Sequence, residues 1–235
     1  MWDVRRAADR GHGRHGWLDT RHTFSFADYH DPRFLGFRGL RVINEDRVAP
    51  AAGFGTHPHR DMEIITYVVS GRLAHRDSLG REETLGPDEV QRISAGTGIT
   101  HSEFNASDTT PVHFYQIWLN PDRRGTQPSY EQASFPSSPG TTTIATPEGR
   151  DGSLSIGRDV VVERIETTGP DPVEVRIAPG RHAWLQMISG SLEAIDSAGR
   201  SVALAEGDGL AVSDESRLEL RPSGEGARLL RFDLA

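Results

Sequence analysis

Apolar and polar residues alternate over short stretches of this chain, and glycine or proline separates one stretch from the next. Short alternating segments rich in β-branched residues are typical of half-buried strands in sandwiches and barrels. The pattern predicts strands at Glu63–Val69, Val90–Ser94, Val112–Leu119, Val173–Ile177, Trp184–Ile188, Arg217–Leu220 and Arg228–Phe232. We find no apolar stripe of helical period over a dozen residues, and expect only a short helical turn at Tyr130–Ala133. The predicted fold class is all-β.

The middle of the chain, from Asn120 to Ser153, is rich in proline, glycine, serine and threonine. This composition predicts a connection between two halves. We therefore expect an N-terminal domain at residues 1–130, a linker at 131–140 and a C-terminal domain at 141–235. A chain of 235 residues is long enough for two domains of roughly 100 residues each.

The two halves contain a repeated segment. When the chain is shifted by 119 residues without gaps, Ser70–Leu85 aligns with Ser189–Leu204, and eight of the sixteen positions are identical. A spacing of about half the chain favours an internal duplication. The sequence thus predicts two β-barrels or sandwiches of similar construction.

Composition and charge exclude several classes of function. The hydrophobic fraction of 35% and the mean hydropathy of −0.51 are typical of a water-soluble globular protein with a buried core. A net charge of −8 gives no general attraction to nucleic acid, and the absence of cysteine excludes disulfides and thiolate metal sites. Neither a long apolar run nor an apolar signal segment after Met1 is present. We therefore expect a cytoplasmic protein that binds neither membranes nor nucleic acids.

Two pairs of residues with a spacing of two carry the candidate chemistry: His57-Pro-His59 and His101-Ser-Glu103. Side chains at positions i and i+2 of a strand point to the same face, about 7 Å apart. Two such strands lying side by side would direct all four side chains to one point. Three imidazoles and a carboxylate suit a divalent first-row metal such as iron, manganese, nickel, copper or zinc. The alternative interpretation is that each pair is an ordinary polar strand face.

Longer motifs surround these pairs. The patterns His57-x-His59-x3-Glu63-x7-Gly71 and Gly98-x2-His101-x3-Asn105 resemble the two signature motifs of the cupin superfamily. More narrowly, six segments of the chain resemble the pirin family, and in particular its bacterial quercetin 2,3-dioxygenase-like branch. They are GWLDTRHTFSFADY, LRVINEDRV, GFGTHPHRDMEIITYVVSG, HRDS, SAGTGITHSE and YQIWLNP. The resemblance is strong from Gly16 to about Arg150 and weak in the C-terminal half. It implies a bicupin, two face-to-face jelly-roll β-barrels, with one metal in the N-terminal barrel.

The resemblance also implies a ligand set, which is His57, His59, His101 and Glu103. Most cupins use the glutamate that aligns with Glu63, whereas pirins use the one that aligns with Glu103. Glu63 has the same strand parity as the first two histidines, so it is the alternative fourth ligand or a supporting residue.

The second barrel is expected to lack a metal. At the 119-residue offset, the positions of His57, His59, Glu63, His101 and Glu103 correspond to Arg176, Ala178, His182, Leu220 and Pro222. His182 alone cannot hold a metal ion.

The implied activity is a metal-dependent dioxygenase that opens the heterocycle of flavonols such as quercetin and releases carbon monoxide. Glu103 would be both ligand and general base, and iron(II) is the favoured metal. The partners would be a small-molecule substrate and dioxygen, and the protein a monomer. Two alternatives stay open: a non-enzymatic metal- or redox-sensing regulator that binds a protein partner, and a cupin oxygenase with another substrate.

Other histidines have less specific interpretations. His75 and Asp77 either support the metal ligands or belong to an ordinary hairpin-end turn. His12, His15, His22 and His30 lie in a glycine- and arginine-rich leader, where we expect surface or interdomain packing.

Overall fold

Strands dominate the secondary structure of residues 1–235 in a computed structural model of the chain. They are β1 (Trp2–Arg5), β2 (Gly11–Arg14), β3 (Leu18–His22), β4 (Leu40–Val48), β5 (Gly53–His59), β6 (Glu63–Ser70), β7 (Leu73–Asp77), β8 (Glu82–Leu85), β9 (Glu89–Ser94), β10 (Ile99–Asn105), β11 (Val112–Leu119), β12 (Ser129–Ser134), β13 (Gly140–Thr146), β14 (Leu154–Ser155), β15 (Val160–Thr168), β16 (Val173–Arg176), β17 (His182–Asp196), β18 (Ser201–Ala205), β19 (Gly209–Val212) and β20 (Arg217–Leu234). Two 3₁₀ turns, Ala7–Asp9 and Arg150–Gly152, are the helical elements, and neither has the length to cross a membrane. The all-β prediction is confirmed.

The strands form two compact units. The N-terminal barrel contains residues 11–136 and 148–158, and the C-terminal barrel contains residues 1–10, 137–147 and 159–235. This division differs from the predicted one. Strand pairing decides which unit a segment belongs to, and composition does not report strand pairing. The first ten residues supply β1, which pairs with β19, and residues 131–134 continue β12, which pairs with β9. The predicted helical turn at Tyr130–Ala133 is therefore wrong.

The N-terminal barrel is built from two sheets. A seven-stranded sheet has the order β12-β9-β6-β11-β4-β3-β2, and a four-stranded sheet has the order β5-β10-β7-β8. Side chains that alternate along these strands meet in an apolar core formed by Val48, Val68, Leu73, Leu85, Val112 and Phe114. Within the smaller sheet, β10 lies between β5 and β7, so it pairs with both.

The C-terminal barrel is organised around two long strands, β17 and β20. The predicted strand Trp184–Ile188 lies within β17, and the segments predicted at Arg217–Leu220 and Arg228–Phe232 form the single strand β20. Gly190 lies at the register shifts in β17 and has a φ of +73°. A Cβ added at this position would lie 2.2 Å from the carbonyl oxygen of Gly226. The pairing of β17 with β20 continues on both sides of these shifts, as at a β-bulge.

The repeated segment forms the same turn in both barrels. In the N-terminal barrel, Asp77 Oδ1 accepts hydrogen bonds from the backbone N–H groups of Leu79 and Arg81. In the C-terminal barrel, Asp196 Oδ1 accepts them from Ala198 and Arg200, 119 residues further along the chain. The pairing on either side also agrees, since the partner of Leu73 is Leu85 and that of Leu192 is Leu204. The duplication therefore extends to individual hydrogen bonds.

Strand register also locates the C-terminal counterparts of the metal-ligand candidates. His101 pairs with Asp77 on one side and His57 on the other, and Leu218 pairs with Asp196 and Val175 in the same way. The gapless offset is thus wrong by one or two residues on these strands. The counterparts of His57, His59, His101 and Glu103 are Val175, Ile177, Leu218 and Leu220. All four belong to the apolar core of the C-terminal barrel.

Candidate metal centre

Adjacent strands bring three of the four predicted ligands together. β5 and β10 are antiparallel neighbours, and His101 is the direct partner of His57 in their ladder. The ring centroids of His57, His59 and His101 are 4.5 to 4.8 Å apart, and one potential ligand nitrogen from each lies within 4.8 Å of the others. The strand parity of the H-x-H motif thus produces the convergent arrangement that the sequence predicted.

Glu103 joins this cluster through His101. The ladder between β5 and β10 shifts register between His101 and Glu103, as at a β-bulge, a feature that re-aims side chains next to functional sites. A carboxylate oxygen of Glu103 lies within 4.8 Å of ligand nitrogens of His75 and His101. His75, His101 and Glu103 are all buried.

The Glu103 carboxylate is held by two side-chain amides. Gln91 Nε2 donates a 2.7 Å hydrogen bond to Oε1, and Gln116 Nε2 donates a 2.8 Å hydrogen bond to Oε2. Each of these donors lies on a strand of the larger sheet, β9 and β11. A buried carboxylate needs such donors, and they also fix the direction of its remaining lone pairs.

Glu63, the alternative fourth ligand, lies elsewhere. Its carboxylate accepts hydrogen bonds from Ser94 Oγ at 2.7 Å and from the backbone N–H of Gly157 at 3.1 Å. Burial raises the pKa of Glu63. This residue belongs to neither group of potential metal ligands, so its contacts favour a role in packing.

The surroundings of His59 and His101 favour neutral imidazoles. Burial, followed by repulsion from His101 and His57, lowers the pKa of His59 to about 4. Burial and the neighbouring His57 and His75 lower the pKa of His101 to about 3. A neutral imidazole keeps the lone pair that a metal ion needs, so no proton competes for these two side chains at pH 7.

The donor groups fit a metal ion. Both ring nitrogens of His101 are buried and have no hydrogen-bond partner, which is costly unless another group satisfies them. His57 Nδ1 donates a 2.8 Å hydrogen bond to the carbonyl oxygen of Gly55, so its Nε2 carries the free lone pair. Imidazole nitrogens with a nearby carboxylate are a donor set for divalent transition metals. The geometry therefore supports a divalent metal site.

A cavity of about 480 Å³ opens next to these side chains. This volume lies within the range of about 300–1,000 Å³ typical of small-molecule sites. Trp118 lies at the boundary of this cavity, beside the histidine cluster, and the centroid of its ring is 4.8 Å from the centroid of the His59 ring. The lining is His15, Trp17, Leu18, Thr20, His22, Phe26, Ala27, Asn44, Asp46, Gly53, Phe54, Gly55, His57, His59, Glu103, Gln116 and Trp118.

Comparison with known families identifies the fold family. The family model described as pirin matches residues 3–119, and the model described as quercetinase C-terminal cupin domain matches residues 143–234. The chain belongs to the pirin family. The second match agrees with the two-barrel architecture, so the bicupin prediction is confirmed.

Relatives of this pirin extend over its whole length. It is 44% identical over 231 residues to a quercetin 2,3-dioxygenase of Escherichia coli K12, covering 98% of this chain and 97% of that protein. The crystal structure of YhhW from Escherichia coli superposes with a TM-score of 0.95 at 43% identity, covering 100% of this chain and 98% of the other. The bacterial pirin YhhW in complex with nickel(II) superposes with a TM-score of 0.94 at 43% identity, covering 100% and 99%. A metal ion is thus bound by a close structural relative.

Sequence reasoning missed the contribution of the leader segment to this pirin site. His15 and His22, expected in surface or interdomain packing, line the cavity. His22 is buried, and its Nδ1 shares a 2.8 Å hydrogen bond with Asn44 Oδ1. The available signal was the alternation along β3, where Leu18, Thr20 and His22 are all buried while the residues between them are half-exposed. Polar residues on the inner face of a strand indicate a lined cavity.

Asp46 is a further cavity residue that the motifs did not indicate. Its side chain is only 4% exposed, and burial, together with the nearby carboxylates of Glu103 and Glu45, raises its pKa to about 7. Two carboxyl groups, those of Glu103 and Asp46, therefore line the same cavity, and each has a different environment.

Proposed function

We propose that this pirin is a metal-dependent dioxygenase that opens the heterocycle of flavonols such as quercetin and releases carbon monoxide. The observation that carries the proposal is a cluster of three histidines and a buried carboxylate beside an aromatic-lined cavity. The names of its relatives, quercetin 2,3-dioxygenases, support an enzyme of this type. Its substrates would be a flavonol and dioxygen, with the protein acting as a monomer.

The proposed ligands are His57, His59, His101 and Glu103, binding one divalent ion. Iron(II) is the proposed metal, with manganese, nickel, copper and zinc as alternatives, because a site of nitrogen and oxygen donors accepts all of them. The nickel(II) complex of a bacterial pirin supports the binding of a divalent ion.

The cavity suits a flat aromatic molecule. Trp17 and Phe54 pack edge to face with ring centroids 5.1 Å apart, and Phe26 packs in the same way against Trp118 at 5.4 Å. These walls offer apolar contact to the rings of a flavonol, and the Trp118 Nε1–H has no partner within the protein. A few placed polar groups within an apolar lining orient a ligand.

Glu103 is the proposed general base. A bound divalent metal would supply Lewis-acid polarisation of the flavonol 3-hydroxyl oxygen and so make its proton more acidic. Glu103 would accept that proton on a carboxylate oxygen, while Gln91 and Gln116 keep the carboxylate in place through their amide N–H groups. The overall reaction consumes one flavonol and one dioxygen, and yields one ring-opened ester and one carbon monoxide.

The test uses the full-length protein, purified without oxygen and loaded in turn with iron, manganese, nickel and copper. Flavonol loss, dioxygen uptake and carbon monoxide release are measured together, against a panel of other small enols. We expect flavonol turnover with at least one metal. Glu103→Gln should lose turnover by about 10²–10⁴-fold, the usual effect of removing a general base, while it retains part of the metal.

Two outcomes would overturn the proposal. If the fully metallated protein consumes no flavonol with any of these metals, the dioxygenase assignment fails and the regulator hypothesis leads. If Glu103→Gln turns over at the wild-type rate, the base is another group.

A further inference from the structure

His75 is a buried imidazole that the proposed reaction does not use. Its Nε2 shares a 3.0 Å hydrogen bond with Asp77 Oδ2, and because a carboxylate accepts, the proton is on Nε2. The Tyr130 ring stacks on the imidazole at a centroid distance of 4.8 Å, which fixes its plane. The other nitrogen of a neutral His75, Nδ1, then carries a lone pair, and it is buried without a partner.

His101 presents the complementary need. It is buried next to His75, with ring centroids 5.5 Å apart and one nitrogen of each ring within 4.8 Å of the other. If one nitrogen of His101 binds the metal, the other becomes an N–H that requires an acceptor, and metal-binding histidines almost always have one. Glu103 already accepts the amides of Gln91 and Gln116, and in the proposed ligand set its remaining lone pairs serve the metal. The lone pair of His75 Nδ1 is the matching acceptor.

We propose that His75 is a positioning residue for the metal centre. Its Nδ1 accepts the free N–H of His101, and Asp77 holds the tautomer that makes this possible. The chain Asp77–His75–His101 thereby orients the ligand nitrogen of His101. This inference rests on the ligand set of the proposed function.

The internal repeat separates this role from an ordinary turn. Asp77 uses Oδ1 for the backbone of the turn and Oδ2 for His75, whereas Asp196 uses Oδ1 for its turn and Oδ2 for Arg200. Strand register places Ala194 at the counterpart of His75. The turn therefore forms without a histidine beside it, and the histidine is present in the barrel that contains the ligand cluster.

The test compares Asp77→Asn with the matched control Asp196→Asn. Both variants keep an oxygen that can accept the turn N–H groups. Asp77→Asn, however, presents an N–H₂ group to His75 Nε2, so the imidazole proton moves to Nδ1. Two N–H donors, that of His75 and that of His101, then face each other. We expect the affinity for nickel(II), measured by competition with a chromophoric chelator, to fall 10–100-fold in Asp77→Asn. Asp196→Asn should stay within about twofold of wild type.

A spectroscopic measurement reports the tautomer independently of metal. In ¹⁵N NMR spectra of the metal-free protein, His75 should be protonated on Nε2 in wild type and on Nδ1 in Asp77→Asn. His75→Gln offers an amide oxygen as acceptor and should keep more nickel affinity than His75→Phe, which keeps only the ring contact with Tyr130.

Three results would overturn the inference. Equal nickel affinity of Asp77→Asn and Asp196→Asn would mean that the chain has no effect on the metal. X-ray absorption showing one more imidazole ligand in wild type than in His75→Phe would make His75 a direct ligand. Unchanged nickel affinity of His101→Ala would refute the ligand set itself, an outcome that is distinct from the other two.

Discussion

Gln116 donates its side-chain amide to the carboxylate of Glu103 across 2.8 Å, and Gln91 donates to the other oxygen. These two amides and the Thr66 hydroxyl, which lies 3.4 Å from Oε1, all donate to Glu103, so the site is built for a group that only accepts. A glutamine at position 103 would direct its own N–H₂ group at one of these donors. Replacing Glu103 thus changes the hydrogen-bond network as well as the charge.

We expect Glu103→Gln to lower the free energy of unfolding by about 1–3 kcal/mol, the cost of a buried unsatisfied donor. The double variant Glu103→Gln with Gln116→Glu restores an acceptor–donor pair and should recover most of that loss, but not the turnover. Urea unfolding and flavonol consumption measure the two effects separately. Wild-type turnover of the double variant would contradict the assignment of Glu103 as base.

Alanine replacement of each proposed ligand should lower the bound metal sharply. Removing one of four donors takes away a metal bond, whereas the barrels are held by their apolar cores and should stay folded. His182→Ala in the C-terminal barrel is the control and should keep full metal content in elemental analysis. Full stoichiometry in the double variant His57→Ala, His101→Ala would refute the ligand set.

One metal ion should bind per chain. In the C-terminal barrel, the apolar core residues Val175 and Leu218 stand where the N-terminal barrel has His57 and His101, so the counterpart positions offer no donor atoms. Titration followed by an anomalous diffraction map should show a single ion, among residues 11–136. A second tightly bound ion within residues 141–235 would contradict this prediction.

Gly53 should matter for the site because of the space it leaves. A Cβ at Gly53 would lie 2.3 Å from the carbonyl oxygen of Glu103 and 2.5 Å from the Cα of Phe104, both backbone atoms of β10. We expect Gly53→Ala to destabilise the protein by about 1–3 kcal/mol and to weaken metal binding, since it pushes β5 away from β10.

Gly55→Ala is the matched control, because no atom lies within 4 Å of its added Cβ on the same strand. Thermal unfolding and nickel titration of the two variants should therefore differ clearly. Equal behaviour would show that the strands can separate without cost.

Asp46 should make stability fall as the pH rises. Its pKa in the folded chain, about 7, is above the usual 3.8, so between these values the folded state holds a proton that the unfolded state has lost. Asp46→Asn removes this titration and should gain stability relative to wild type from pH 4 to pH 8, by roughly 4 kcal/mol. Urea unfolding of the metal-free proteins checks it. A difference that does not vary with pH would contradict the prediction.

The local pattern of the sequence determined the fold class, the positions of most of the predicted strands, and the convergence of His57, His59 and His101. Alternation along a strand is a local property, so period-two spacing places both histidines of β5 on one face whatever the rest of the chain does. The repeated Asp turn was equally visible, because its hydrogen bonds join residues two and four apart. These features need no knowledge of distant partners.

The tertiary structure alone decided which strands become neighbours and therefore what surrounds the site. The pairing of β1 with β19 and the extension of β12 moved the unit boundaries, since hydrogen bonds between distant segments leave no mark in composition. The same long-range pairing placed Gln91 and Gln116 against Glu103, and put Leu218 where a gapless alignment had placed a different residue. Contacts between residues far apart in the chain depend on register, and register is set by packing of the whole barrel.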